Sequence, residues 1–345
     1  MNAKTVKMKS ITLKDILTWM MNNAIFVVLL VLILIVVIVE PSFISINNFR
    51  NILAQASTRL IIALGIGGLI ITQGTDLSAG RLVGLSAVIS ASLLQAPNYA
   101  YRMYPNLPEL NIIIPILLVC LICGLFGWVN GFIIAKFNVT PFIATLGTSL
   151  LVYGANSTYF DRPPFGAQPI GGLSETYMSF AQGSFNIGGF MVPYLVVYAT
   201  ITTVVMWFIW NKTRLGKNIF AVGGNPEAAA VSGVNIVKTL LIVYTMAGIL
   251  YGFAGSLEAA RIGSATNNTG NMYEFDAIAA CVVGGVSFSG GIGTIAGIVT
   301  GVLIFQVISY GLAFIGVTPY MQYIIKGLII VLAVAIDMRK YIKRK

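Results

Sequence analysis

Apolar residues in this chain fall into long runs with few polar interruptions, not into the alternation of a half-buried strand or the spacing of an amphipathic helix. The stretch Ala24–Val39 holds no polar side chain at all. Several runs reach about 18 residues, the length a helix needs to cross the hydrocarbon core of a bilayer. We read ten spans at roughly 22–39, 56–73, 79–95, 111–136, 141–159, 191–210, 239–257, 276–291, 293–314 and 319–336. The third and eighth are short and rich in Gly and Ser. The main polar breaks are 96–110, 160–190, 211–238 and 258–275. The predicted fold is an all-α polytopic membrane protein with about ten transmembrane helices.

The second half of the pattern echoes the first. Asn138-Val139-Thr140-Pro141-Phe142 opens the fifth span, and Gly316-Val317-Thr318-Pro319-Tyr320 opens the tenth. Gly127 and Gly131 in the fourth span correspond to Gly297 and Gly301 in the ninth. Spans 2–5 then match spans 7–10. One set starts outside and the other inside, so the repeat is inverted, an arrangement suited to a transport pathway between two half-bundles. Gly293, Gly297 and Gly301 lie four apart on one helix face, as do Gly248 and Gly252. Such faces let helices approach closely, either within one subunit or between two copies.

Composition fits a membrane protein. The chain is 57% hydrophobic and 9% charged, against about 25% charged for soluble domains, and its mean hydropathy is +0.88. Its net charge of +10 sits largely beside the spans and does not form a nucleic-acid patch. Lys4, Lys7, Lys9 and Lys14 precede the first span; Arg339, Lys340, Lys343, Arg344 and Lys345 follow the last. Lys212, Arg214, Lys217 and Lys238 mark the break 211–238. Positive residues stay on the cytoplasmic side, so ten spans place both ends and 211–238 inside. Loops 96–110 and 160–190, with Arg102 and Arg162, fall outside, as do Glu258, Glu274 and Asp276. The expected organisation is a cytoplasmic tail 1–21, one permease domain 22–336 and a basic cytoplasmic tail 337–345. The first run ends Val39-Glu40-Pro41 without a small-residue cleavage site, so it reads as a retained span.

The chain has no histidine, which removes the commonest general base and metal ligand. Cys120 and Cys123 form a lone CxxC inside an apolar run, and Cys281 stands apart, so neither a metal nor a redox centre is expected. Phosphate-binding signatures are missing too: Gly216-Lys217 is followed by Asn218, with no glycine five residues earlier. No catalytic residue, cofactor or metal is expected.

The break 211–238 has local grammar. Gly223-Gly224 reads as a turn. Asn225 is placed to cap a helix, with Pro226 at its first position and Glu227 favoured by the helix dipole. Ala228, Ala229 and Ala230 favour helix, and Gly233 ends it. A short, small-faced cytoplasmic helix is expected. Elsewhere Thr75, Asp76, Ser78, Arg81 and Lys326 are candidates for the pathway or its gate. Asp76 and Arg81 either pair, sit at the interface or line a polar cavity, since ionisable groups are costly in hydrocarbon. Other polar residues near mid-membrane are mostly hydroxyls, such as Ser86, Ser90, Thr145, Thr148, Ser149 and Ser287. They suggest a wide, weakly selective conduit.

The segment Asn211–Lys238 resembles the coupling-helix loop of ribose- and galactose-type permeases of ATP-binding-cassette importers. Gly74-Thr75-Asp76-Leu77-Ser78-Ala79-Gly80 resembles that family's glycine–Asp-Leu-Ser–glycine signature. Tyr273–Ala280, continuing through Val283–Ser287 and Gly290–Thr294, resembles a third. The resemblance covers about residues 22–340. Thr72–Arg81 and Arg261–Asn268 resemble the galactose/methyl-galactoside branch. The resemblance implies a sugar-conducting pore subunit in a bacterial inner membrane. It also implies a second copy of the chain, two ATPase subunits inside and a periplasmic or lipid-anchored sugar-binding protein outside. Gly223, Gly224, Asn225, Pro226, Glu227, Ala228, Ala229 and Gly233 would contact the ATPase. An ion-coupled transporter would need a mid-membrane titratable cluster; a membrane enzyme would need catalytic groups.

Overall fold

A computed structural model describes residues 24–162 and 166–342. The expected tail 1–21, with its four lysines, and Lys343, Arg344 and Lys345 lie outside those residues. Helix α1 is Ala24–Val39, followed by a single tight turn at Pro41–Phe43. Then come α2 (Ile46–Ile71), α3 (Ala79–Leu93), α4 (Ile113–Phe137), α5 (Pro141–Phe160) and α6 (Glu175–Gln182). A small antiparallel hairpin follows, β1 (Ser184–Ile187) with β2 (Phe190–Pro193), registered with Ser184 opposite Pro193. The rest is helical: α7 (Tyr194–Lys212), α8 (Arg214–Gly224), α9 (Pro226–Val231), α10 (Ile236–Ile262), α11 (Tyr273–Val283), α12 (Ile295–Phe314) and α13 (Pro319–Ile342).

Five of these helices are long and apolar enough to cross a membrane: α2, α4, α7, α10 and α12. Two expected spans are half-length. With 15 and 11 residues, α3 and α11 rise only about 22 and 16 Å, short of the roughly 30 Å hydrocarbon core. The expected eighth span, 276–291, is therefore corrected. Its helix stops at Val283, and residues 284–294 form a loop in which Gly285, Gly290 and Gly291 take φ of 84°, 79° and 70°. Left-handed backbone at three positions breaks the helical ladder. The sixth span begins at Tyr194, because Phe190–Pro193 pairs with β1. The last helix runs on to Ile342, past the expected boundary at 336.

Around α10 the core is tightly assembled. A Cβ on Gly248 would run into the Cys123 carbonyl of α4, and one on Gly127 into the Tyr244 carbonyl of α10. Those glycines let the two helices approach backbone to backbone. Gly297 and Gly301 serve the same end against the carbonyls of Gly284 and Ala280, while Gly293 abuts Ile71. Both glycine stripes are thus occupied by contacts within this chain.

The two halves share their local chemistry. Helices α2–α5 have 26, 15, 25 and 20 residues, and α10–α13 have 27, 11, 20 and 24. Ser45 caps α2 by accepting from Asn48 N, and Asn235 caps α10 by accepting from Lys238 N. In each half the last two helices, α4 and α5 or α12 and α13, are joined through a left-handed residue, Asn138 (φ 53°) or Gly316 (φ 80°), followed by Val-Thr-Pro.

Candidate coupling face and pathway

Thr213 opens α8 by accepting from Gly216 N at 3.2 Å, and Ile219 and Val222 bury its inner face. The expected turn at Gly223-Gly224 is corrected: these are the last two residues of α8. A Cβ on Gly223 would strike the Ile71 carbonyl oxygen and crowd Gly291 N, so close packing, not turning, explains that glycine. The chain turns at Asn225 (φ −160°, ψ 105°), whose Oδ1 accepts from Ala228 N at 2.9 Å. Pro226 stands at the first helical position, and Gly233 (φ 83°) follows α9 in the left-handed region. The six-residue α9 buries Ala229 against its own chain. Glu227, Ala228 and Ala230 are exposed, and Val231 is 91% exposed.

Three segments distant in sequence meet behind this helix pair. Gln73, itself at φ 60°, donates from Nε2 to the Gly223 carbonyl at 2.8 Å and to the Ser289 carbonyl at 3.2 Å. Gly291 N donates to the Ile71 carbonyl at 2.8 Å. The end of α8 therefore touches both irregular segments that border the short helices, 72–78 before α3 and 284–294 after α11. Gln73 and Gly291 lie inside the motifs quoted above, but nothing in the sequence marked them as contacts.

Thr75, Asp76 and Ser78 come together, within the protein. Asp76 is fully buried and accepts from Ser78 N (2.8 Å) and Ser78 Oγ. Asn130 of α4 donates to Ser78 Oγ at 3.2 Å and accepts from Thr148 of α5. Thr145 accepts from Leu77 N at 3.1 Å, and Tyr244 of α10 donates to the Thr75 carbonyl at 3.4 Å. This network binds the 72–78 segment to three helices. Buried backbone outside a helix needs such internal partners. Arg81 does not join it. Its Nη2 donates to Asn271 Oδ1 at 2.9 Å, and its guanidinium lies 4.2 Å from the Tyr153 ring centroid. Ser86 and Ser90 are also engaged inside the fold, with the Gly252 carbonyl and Tyr177.

Lys326 pairs with Asp276 at 3.0 Å. Both line a cavity of 420 Å³ with Gln55, Arg59, Gln306 and Tyr310. Beside it, Glu258 is held by Arg261 at 2.9 Å, by Thr58 at 2.9 Å and by Tyr273 at 2.8 Å, with Arg59 stacked on the Tyr273 ring. The cavity walls bring together amides, charges and an aromatic ring. The polar residues come from four helices, and two of them, Gln306 and Lys326, are isolated polar positions in apolar runs. Those lone positions were the available signal.

Comparison with known proteins places the chain among transport permeases. Residues 48–334 match the family described as branched-chain amino acid transport system / permease component. A galactose/methyl galactoside import permease protein of Haemophilus influenzae is 58% identical over 323 residues, covering 94% of this chain and 96% of that protein. The Salmonella typhimurium protein of the same name is 57% identical over 338 residues, covering 98% of this chain and 100% of that protein. A ribose import permease protein of Escherichia coli is 38% identical over 323 residues, covering 93% of this chain and 95% of that protein. No solved structure matches.

Proposed function

This chain belongs to the branched-chain amino acid transport system / permease component family, and we propose that it is the pore subunit of an ATP-driven importer of galactose and methyl galactosides. The observation that carries this reading is the 58% identity over nearly the full length of both chains to a galactose/methyl galactoside import permease. The ribose permease, at 38%, is more distant. As a permease component, the chain conducts substrate and leaves ATP chemistry to another subunit.

Two copies would form the pore in a bacterial inner membrane, in contact with lipid, with no nucleic acid as partner. Ten passages would leave both ends inside. Segments 72–78, 211–238 and 284–294 then share the cytoplasmic side, in keeping with the contacts among Gln73, Gly223 and Gly291. Two ATPase subunits would dock on α8 and α9, and a sugar-binding protein on the opposite side. Because Ala229 is turned inward, the ATPase would meet Glu227, Ala228, Ala230 and Val231, with Gly223, Gly224, Asn225, Pro226 and Gly233 shaping that surface. Force applied there would pass through Gly223 to Gln73 and Gly291 and so to the short helices α3 and α11. Thr75, Asp76 and Ser78 would act as the anchored end of that linkage.

Co-purification in mild detergent tests the assembly. The chain should bring an ATPase and, in the presence of galactose, a soluble binding protein. A chain that purifies alone and moves galactose down an ion gradient would contradict it.

A further inference from the structure

The 420 Å³ cavity has a position and a chemistry that the coupling machinery does not use. Gln55 and Arg59 come from α2, in the first half of the repeat; Asp276, Gln306 and Tyr310, and Lys326 come from α11, α12 and α13, in the second. Substrate sites in repeat-built transporters lie at such a junction, beside discontinuous helices; α11, which supplies Asp276, is one of the two short helices. On the proposed orientation, Gln306 and Lys326 sit about 12 and 10 Å inside the outer ends of α12 and α13, in the outer half of the bilayer. Its volume falls in the range of about 300–1,000 Å³ usual for small-molecule sites.

We propose that this cavity is an intramembrane way-station for a neutral hexose, with Gln306, Gln55 and Asp276 meeting sugar hydroxyls and the Tyr310 ring offering an apolar face. The inference rests on the importer reading above. Charges of this kind are too costly to open onto lipid, so the mouth of the cavity must meet water or protein. A sugar needs donors and acceptors in one place, and the walls supply both. Gln306 Nε2 donates to Gln55 Oε1 at 2.9 Å, a pair of amides that can re-form their bonds with hydroxyls. Lys326 is answered by Asp276 at 3.0 Å, so this pair presents hydrogen-bonding groups without net charge. Arg59 stacks on Tyr273, whose hydroxyl donates to Glu258, which sets a carboxylate near the guanidinium. One buried guanidinium nitrogen of Arg59, Nη1, has no hydrogen-bond partner, leaving a donor for a ligand. The Tyr310 ring is braced against Phe314, with centroids 6.1 Å apart, and its hydroxyl donates to Asn48 at 2.9 Å. Aromatic stiffness of this kind suits the C–H face of a pyranose.

The test uses the complete importer in sealed vesicles, with its ATPase and binding protein. Cys120 is replaced by Ala, Cys123 and Cys281 being fully buried, and Ser309 at the cavity wall is replaced by Cys. A small hydrophilic thiol reagent should label that cysteine, and labelling should slow several-fold when galactose is added during ATP turnover. A second variant, Gln306→Ala, should raise KM for galactose by about five- to tenfold, the loss of one or two hydrogen bonds. Membrane abundance and recovery of the ATPase on co-purification should stay near wild type, which a merely structural defect would not allow. Labelling indifferent to galactose while uptake proceeds, or Ser309→Cys that never labels, would overturn the way-station and leave the importer reading intact. Failure of the unmodified importer to take up galactose would remove that reading, and this inference with it.

Discussion

Gln73 and Gly223, 150 residues apart, are joined by a hydrogen bond of 2.8 Å from the Gln73 amide to the Gly223 carbonyl. Gln73 stands where α2 ends and the irregular segment before α3 begins; Gly223 stands at the end of α8. Motion of α8 therefore bears directly on the mouth of α3. Gly223→Ala should remove this fit, because its new methyl meets the Ile71 carbonyl. Overpacking of this kind costs about 1–3 kcal/mol. Galactose uptake should fall about tenfold or more at normal membrane abundance, that free energy applied to a barrier. Wild-type uptake would sever the proposed linkage.

Gln73→Ala keeps the backbone and deletes the bond. A neutral hydrogen bond contributes about 0.5–1.5 kcal/mol. The expected phenotype is uncoupling: ATPase activity persists while sugar moved per ATP declines. The ratio is read by measuring both in the same vesicles. An unchanged ratio counts against Gln73 as a transmitting residue.

The exposed side of α9 separates docking from folding. Val231, 91% exposed, should tolerate Asp in the isolated chain but weaken recovery of the ATPase on co-purification. Ala229→Arg is expected to damage the helix itself, since Ala229 is buried. Equal recovery of the ATPase with Val231→Asp would move the docking face elsewhere.

Glu258→Ala should destabilise the chain. Glu258 is 1% exposed and bonded to Arg261, Thr58 and Tyr273. Removing one partner of a buried ion pair costs about 3–5 kcal/mol, because the other charge is left unanswered. The melting temperature in detergent should drop clearly for Glu258→Ala and recover in part when Arg261→Ala is added. Additive losses would show that the two residues do not act as a pair.

Local chemistry was legible in the sequence where the cause lay within a few residues. Asn225, Pro226 and Gly233 framed α9 as expected, since capping, fixed φ and left-handed backbone act over one turn. Gly223-Gly224 was misread because a glycine demanded by a distant carbonyl looks the same in sequence as one demanded by a turn. The eighth span was overextended for a related reason: its mean hydropathy is high, yet Gly285, Gly290 and Gly291 hold left-handed conformations that hydropathy does not report. The cavity was hidden because Gln55, Asp276, Gln306 and Lys326 belong to four helices whose packing alone brings them together. Asp76 and Arg81 stood out as ionisable residues beside a span; their separate partners, Ser78 and Asn271, follow only from tertiary structure.

Energy source and substrate are tested together by uptake of radiolabelled galactose into proteoliposomes holding this chain and its co-purified ATPase, with binding protein added to the side opposite the ATPase. The account predicts accumulation that requires ATP on the ATPase side and binding protein on the other, and that survives collapse of ion gradients. Accumulation driven by an ion gradient without ATP, or ATP-driven uptake of ribose in preference to galactose, would contradict it.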